Sequence, residues 1–227
     1  MDKRYSKNIS ALSQEESEKL ADFIVCVIGC GGLGGYVIEM LSRIGIGNIT
    51  VVDMDIFDES NLNRQILSSE NNLGSYKVEE ARNRVKSINS NTKIKVINEI
   101  FCKENAEDIL KEHHIIVDCL DSIDSRILLQ EVCKRLNIIF VHGAIGGWYG
   151  QVCTVFPGSD TLSRIYKGKS IGIEKKLGNP SFTPANIASI EVSEVIKVLL
   201  NKGEILRDKL LIVDLLYNDY NIIDLEK

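Results

Sequence analysis

Several groups of residues in this sequence have the types and spacing to handle a phosphorylated ligand. Gly29-Cys30-Gly31-Gly32-Leu33-Gly34 fits the pattern G-x-G-x-x-G. Its glycines allow a tight turn and let a phosphate approach the free N–H groups that open a helix. Asp53 stands about 20 residues further on, where an acid can hydrogen-bond ribose hydroxyls. The loop lacks the G-K-[ST] ending of a P-loop, so the chemistry is not of that kind. Downstream come Asp58–Gln65, the run Gly74-Ser75-Tyr76-Lys77, and Asp118-Cys119-Leu120-Asp121-Ser122. Arg64 and Lys77 are suited to neutralising charge on a triphosphate as it reacts. Asp121 suits Mg²⁺, which prefers oxygen ligands and phosphates; alternatively, it caps a helix beginning near Ile123. Hydride transfer with NAD(P) would use the glycine loop and Asp53 but would leave Arg64, Lys77 and Asp121 without a task.

The elements that must position these groups follow from periodicity. Ile24–Ile28, Ile49–Val52, Ile94–Ile97, Ile115–Cys119 and Ile138–Val141 read as strands. Leu33–Ile44, Lys77–Ile88 and Ile123–Leu136 carry a helical period. Their alternation predicts an α/β, Rossmann-like, doubly wound and mostly parallel sheet with helices on both faces. In such a sheet ligands bind beyond the carboxyl ends of the strands, where Asp53, the Arg64 segment and Asp121 all fall. After Gly150 the pattern changes. Gln151–Phe156 is strand-like, a helix starts at Thr183-Pro184 and runs to Leu200, and Leu210–Leu216 with Tyr220–Leu225 suggests a terminal hairpin. These strands are expected to add to the sheet in antiparallel fashion. The stretch 159–182 has no clean period and reads as a mobile, functional loop that covers the site.

Composition bounds the rest. The 227 residues fit one domain, 1–227, with a nucleotide-binding half (1–150) and a second half (151–227). Net charge is −5, which argues against a dedicated nucleic-acid binder. No apolar run approaches the roughly 20 residues of a membrane span, and the N-terminus has no signal-like apolar core. The six cysteines include no C-x-x-C pair, so buried reduced thiols in a cytoplasmic protein are expected, without a structural zinc site. Adjacent His113 and His114 do not share a helix face and do not read as a metal pair. His142 reads as a core or rim histidine that follows its strand. Trp148-Tyr149, set between Gly147 and Gly150, forms an aromatic turn able to dock a partner's tail or simply to pack.

The motifs together resemble the MoeB/ThiF/HesA family, bacterial relatives of ubiquitin-activating enzymes. The resemblance lies in Gly29–Gly34, Asp53-Met54-Asp55, Ser60–Gln65, Gly74–Lys77 with Val78-Glu79, Asp118–Asp121 and Gly150-Gln151. It implies ATP-dependent adenylation of the C-terminal carboxylate of a small ubiquitin-like sulfur-carrier protein ending in Gly-Gly, with release of pyrophosphate. By motif position, Gly29, Gly31, Gly32 and Gly34 would form the ATP loop, with Asp53 on the ribose and Asp55 beside it. Asn61, Arg64 and Lys77 would bind the phosphates, and Gln65 would also belong to the nucleotide site. Asp121 would hold Mg²⁺, with Ser122 where relatives have Asn. A homodimer is implied, in which Lys7 of one copy reaches the other copy's ATP. Relatives carry Arg there, so Lys7 keeps the charge without the bidentate fork; the alternative is a frayed, exposed terminus.

The zinc cysteines of many relatives are missing, and no cysteine follows Cys153. Cys153 itself reads as a strand thiol. The expectation is an adenylation-only enzyme. Adenylation of another carboxylate, in a peptide or a modified tRNA base, is the close variant. An oxidoreductase and a non-catalytic adaptor are the other classes.

Overall fold

The computed structural model describes residues 2–168 and 177–225. Short β-branched runs form eight strands: β1 Ile24–Ile28, β2 Asn48–Val52, β3 Lys93–Ile97, β4 Ile115–Asp118, β5 Ile139–Gly146, β6 Tyr149–Val155, β7 Lys209–Asp214 and β8 Asp219–Asp224. They make one sheet in the order β3-β2-β1-β4-β5-β6-β7-β8. The first five strands pair in parallel, and β6, β7 and β8 add antiparallel to β5. The chain departs from β1 toward β2 on one side and returns through β4 on the other. That reversal opens a crevice at the carboxyl ends of β1 and β4.

The helices are α1 Gln14–Lys19, α2 Gly32–Ile44, α3 Lys77–Ile88, α4 Ala106–Leu110, α5 Ile123–Leu136, α6 Thr161–Ile165 and α7 Phe182–Leu200. Alternation along the strands sorts them onto two faces. Val25 and Val27 of β1 pack with Val37 and Leu41 of α2, Val85 of α3 and Ile187 of α7. Cys26 and Ile28 point the other way, onto Leu110 of α4, Leu129 of α5 and Leu162 of α6. Both apolar faces of the parallel strands are therefore covered, as such strands require.

Three expectations change. Strand β5 runs on to Gly146, so His142 lies inside it and pairs with Cys153 of β6 rather than following the strand. A Cβ at Gly143 would run into the Glu191 carboxylate of α7, so this position of the strand takes glycine. The stretch 159–182 is not featureless. It contains α6, anchored by fully buried Leu162, whose N–H donates to Gln130 Oε1 at 2.7 Å. Its end is fixed by Thr183 Oγ1, which donates to Gly147 O at 2.7 Å. Residues 169–176 of the expected loop lie outside the described residues. The N-terminus is not frayed. Lys3–Asn8 forms a 3₁₀ helix, Asn89 Nδ2 donates to Tyr5 Oη at 2.6 Å, and Ser13 and Glu16 form a capping box on α1.

Candidate active site

The crevice is a cleft of about 590 Å³, within the usual range for a small-molecule site. Its floor is the turn from β1 into α2. Gly29 has φ +101° and packs against the Cys119 carbonyl. A Cβ at Gly34 would run into the Gly29 carbonyl oxygen, so Gly34 locks the helix onto the turn from behind. Gly34 is thus a packing position, whereas Gly29, Gly31 and Gly32 line the cleft. Asp53 closes the turn from the end of β2. Its Oδ2 accepts from Cys30 N at 2.7 Å and its Oδ1 from Asp55 N at 2.8 Å. Burial pushes its carboxyl above the ordinary range, against the pull of those two N–H groups and of Lys77. Each oxygen keeps a lone pair, enough to accept a ribose hydroxyl.

The cations arrive on paired backbone segments. Residues Asp55–Phe57 lie against Gly74–Lys77 through an Ile56–Tyr76 bridge and the bond from Lys77 N to Asp55 O, 2.9 Å. This sets Lys77 Nζ 2.8 Å from Asp55 Oδ2. Asp58 caps the turn Glu59–Asn61, and Asn61 Oδ1 accepts from Asp58 N at 3.2 Å. The turn continues into Arg64, whose Nη1 donates to Ser60 O and to Asn63 Oδ1, both at 2.8 Å. Gln65 is buried, and its Oε1 has no partner. An orphaned acceptor beside Gly31 is a place for a ligand's donor.

Across the cleft stands exposed Asp121. It is not the helix cap. Ser122 caps α5 instead, its Oγ accepting from Ser125 N at 3.1 Å. Ser122 lines the cleft with its hydroxyl already in use. Among the described residues no three His, Cys, Asp or Glu side chains gather as a metal site. Asp121 alone fits the way Mg²⁺ binds, through one or two carboxylates plus phosphate oxygens.

Lys7 is elsewhere. Its 3₁₀ helix is held near Gly45 and Asn89, before the amino ends of β2 and β3. The length of a five-residue strand, roughly 16 Å, separates that end of the sheet from the cleft. His113 Nε2 bonds Thr50 Oγ1 at 2.8 Å and His114 Nδ1 accepts from Ile24 N, so the two histidines serve separate contacts. Trp148 packs on Phe182 with ring centroids 4.5 Å apart. All six cysteines are unpaired, and Cys153 is fully buried with its thiol pushed up by that burial.

Sequence spacing does not join the side chains beneath Asp121. Arg126, in the first turn of α5, donates through Nε and Nη2 to Leu120 O at 3.1 and 2.6 Å. Asp118, His142, Gln151 and Tyr166 complete a polar set around it. The nearest hint is Asp118 at the end of an apolar strand; its partners are too distant in sequence to be paired by spacing.

The ThiF family matches residues 5–227. The SAMP-activating enzyme E1 of Haloferax volcanii is 30% identical over 217 residues, which is 93% of this chain and 80% of that protein. The molybdopterin-synthase adenylyltransferase of Haemophilus influenzae is 30% identical over 219 residues, 93% of this chain and 89% of its own length. Among solved structures, E. coli MccB with ATP superposes with a TM-score of 0.85 at 22% identity, covering 99% of this chain and 71% of that one.

Proposed function

This chain belongs to the ThiF family, and on that premise we propose that it adenylates the C-terminal carboxylate of a small ubiquitin-like sulfur-carrier protein ending in Gly-Gly. One observation carries the reading. Two cations, Arg64 and Lys77, and one carboxylate, Asp121, line the same cleft as the glycine loop and Asp53.

In the proposed reaction a carboxylate oxygen of the carrier attacks the α-phosphorus of ATP. The bond from that phosphorus to the bridging oxygen breaks, giving an acyl adenylate and pyrophosphate. Transfer of this kind depends on positioning and charge stabilisation, so it needs no protein nucleophile. Gly29, Gly31 and Gly32 leave room for phosphate at the amino end of α2. The N–H of Cys30 is already given to Asp53, so the later amides of the turn serve the ligand. Asp53 holds the ribose, Gln65 Oε1 accepts from a ligand donor, and Asn61, Arg64 and Lys77 face the phosphates. Bound Mg²⁺, held by Asp121, would supply charge neutralisation on the phosphate oxygens.

Lys7 lies at the opposite end of the sheet, so it acts only on a second copy's cleft; a homodimer is part of the proposal. Six free thiols accord with a reducing, cytoplasmic setting. No helix among the described residues is long and apolar enough to cross a membrane.

Pyrophosphate exchange tests the proposal. With ATP, Mg²⁺ and a carrier ending in Gly-Gly, labelled pyrophosphate should enter ATP, and Arg64→Ala or Asp121→Ala should abolish it. Absence of exchange with every such carrier, alongside tight NAD binding, would sink it.

A further inference from the structure

Beneath the cleft lies a connected set of buried and half-buried side chains that the phosphate chemistry leaves unused. Asp118 and His142 face each other across the parallel pair β4 and β5, both fully buried, with Asp118 Oδ2 and His142 Nδ1 2.7 Å apart. His142 Nε2 is 3.0 Å from Tyr166 Oη. Tyr166 Oη is also 3.0 Å from Gln151 Nε2 and 3.1 Å from Arg126 Nη1.

The chemistry of the partners fixes the direction of each bond. The carboxylate of Asp118 accepts, so His142 carries its proton on Nδ1. Burial holds the imidazole below its ordinary pKa and therefore neutral, which leaves Nε2 a bare acceptor. Arg126 and the Gln151 amide nitrogen only donate. Gln151 Nε2 lies 3.2 Å from His142 Nε2 as well, but the Tyr166 hydroxyl is the nearer donor to it, and its two lone pairs receive Arg126 and Gln151.

The same set grips the chain next to Asp121. Asp118 Oδ1 accepts from Leu120 N at 3.0 Å, and Arg126 Nε and Nη2 donate to Leu120 O. Both peptide groups of Leu120 are thus clamped, one by each charged member. A buried polar network stabilises a fold no better than apolar packing would. What it supplies is orientation.

We propose that Tyr166 and His142 are positioning residues for Asp121. They hold Arg126 and Asp118 in the one arrangement that fixes the Leu120-Asp121 turn opposite Arg64 and Lys77. The proposal rests on reading the cleft as a nucleotide site. It makes the segment after β6, which carries Tyr166, part of what sets the metal-binding carboxylate.

Tyr166→Phe removes one oxygen and keeps the ring that lies 5.6 Å from the Arg126 guanidinium. Binding of a non-hydrolysable ATP analogue is measured by calorimetry with Mg²⁺ and with EDTA. The Mg²⁺-supported affinity should fall about tenfold, while the affinity in EDTA stays within about twofold of wild type. In an Asp121→Asn background Tyr166→Phe should add nothing further. An unchanged Mg²⁺ dependence, an equal loss with and without Mg²⁺, or additive losses in the double variant would each overturn the proposal.

Should Tyr166→Phe fail to fold, ¹⁵N imidazole spectra of the wild type decide, since the chain has three histidines. A neutral His142 protonated at Nδ1 supports the proposal; an imidazolium or the other tautomer overturns it. Failure of the adenylation reading shows separately. A wild type that binds the analogue with Mg²⁺ but exchanges no pyrophosphate removes that reading and leaves this one standing. A wild type that binds no ATP analogue removes both.

Discussion

Lys77 Nζ sits 2.8 Å from Asp55 Oδ2, in an ion pair whose cation is 8% exposed and whose anion is 59% exposed. The cation that should meet a triphosphate is therefore already held, and its holder is on the open side of the cleft. A phosphate competes with Asp55 for Lys77 and offers more charge. Lys77→Ala should lower pyrophosphate exchange by roughly 10²–10³, the usual loss for one donor aimed at developing charge. Asp55→Asn leaves the lysine in place and should cost less than about tenfold. Steady-state exchange rates across an ATP series compare the two; equal losses would show that Asp55 has a task of its own at the phosphates.

Gly34 and Gly32 separate packing from binding within one motif. A methyl at Gly34 meets the Gly29 carbonyl, so Gly34→Ala should cost about 3 kcal/mol of folding stability. At Gly32 the nearest atoms to an added Cβ, Arg64 Cγ and Pro184 Cβ, are 3.8 Å away, an ordinary contact. Gly32→Ala should keep the urea midpoint while weakening ATP binding, because its methyl lies in the cleft. Urea unfolding paired with ATP titration checks both.

Glu191 should make stability fall with rising pH. It is fully buried, neither carboxyl oxygen has a partner, and burial followed by Asp118 raises its pKa well above the ordinary 4.5. The groups around it are Asp118, Arg126, Cys119 and Cys153. The native state keeps the proton that the unfolded chain loses. Its contribution is thus complete below pH 4.5 and is lost as pH rises toward the raised native value, at about 1.4 kcal/mol per unit. Glu191→Gln removes this slope and should gain on wild type as pH increases from 5 to 8. His142, whose pKa burial lowers, titrates in both proteins and cancels in the difference. Denaturation midpoints at several pH values decide; parallel curves would mean that Glu191 is ionised when folded.

Lys7 should act across a dimer. Lys7→Ala and Arg64→Ala are each expected to be impaired alone. Mixed after co-refolding, they should recover about a quarter of wild-type exchange, since half the dimers are mixed and each has one intact site. No recovery would leave Lys7 a surface charge.

The glycine turn, the helices α2, α3 and α5 and most strand positions are legible in sequence, because each is set by local period and by turn residues. So is the placement of Asp53, the Arg64 segment and Asp121 beyond strand ends, which follows from the parallel topology. Three features are not. The pairing of Lys77 with Asp55 depends on two loops 22 residues apart coming together. The need for glycine at position 143 inside β5 comes from Glu191 of α7, far along the chain. The link from Arg126 to Tyr166 spans 40 residues and crosses two strands. All three are tertiary, and no window of local sequence contains both partners.

The bond from Cys30 N to Asp53 Oδ2 ties the first turn of the fold to the end of its second strand. Together with the contact of Gly34 on Gly29, it makes the shape of the glycine loop a product of folding. The conformational entropy of that loop is surrendered once, when the sheet assembles, and binding does not repeat the cost. A ligand entering this cleft meets a loop already ordered, so its association should show little of the large entropic penalty that accompanies coupled folding and binding.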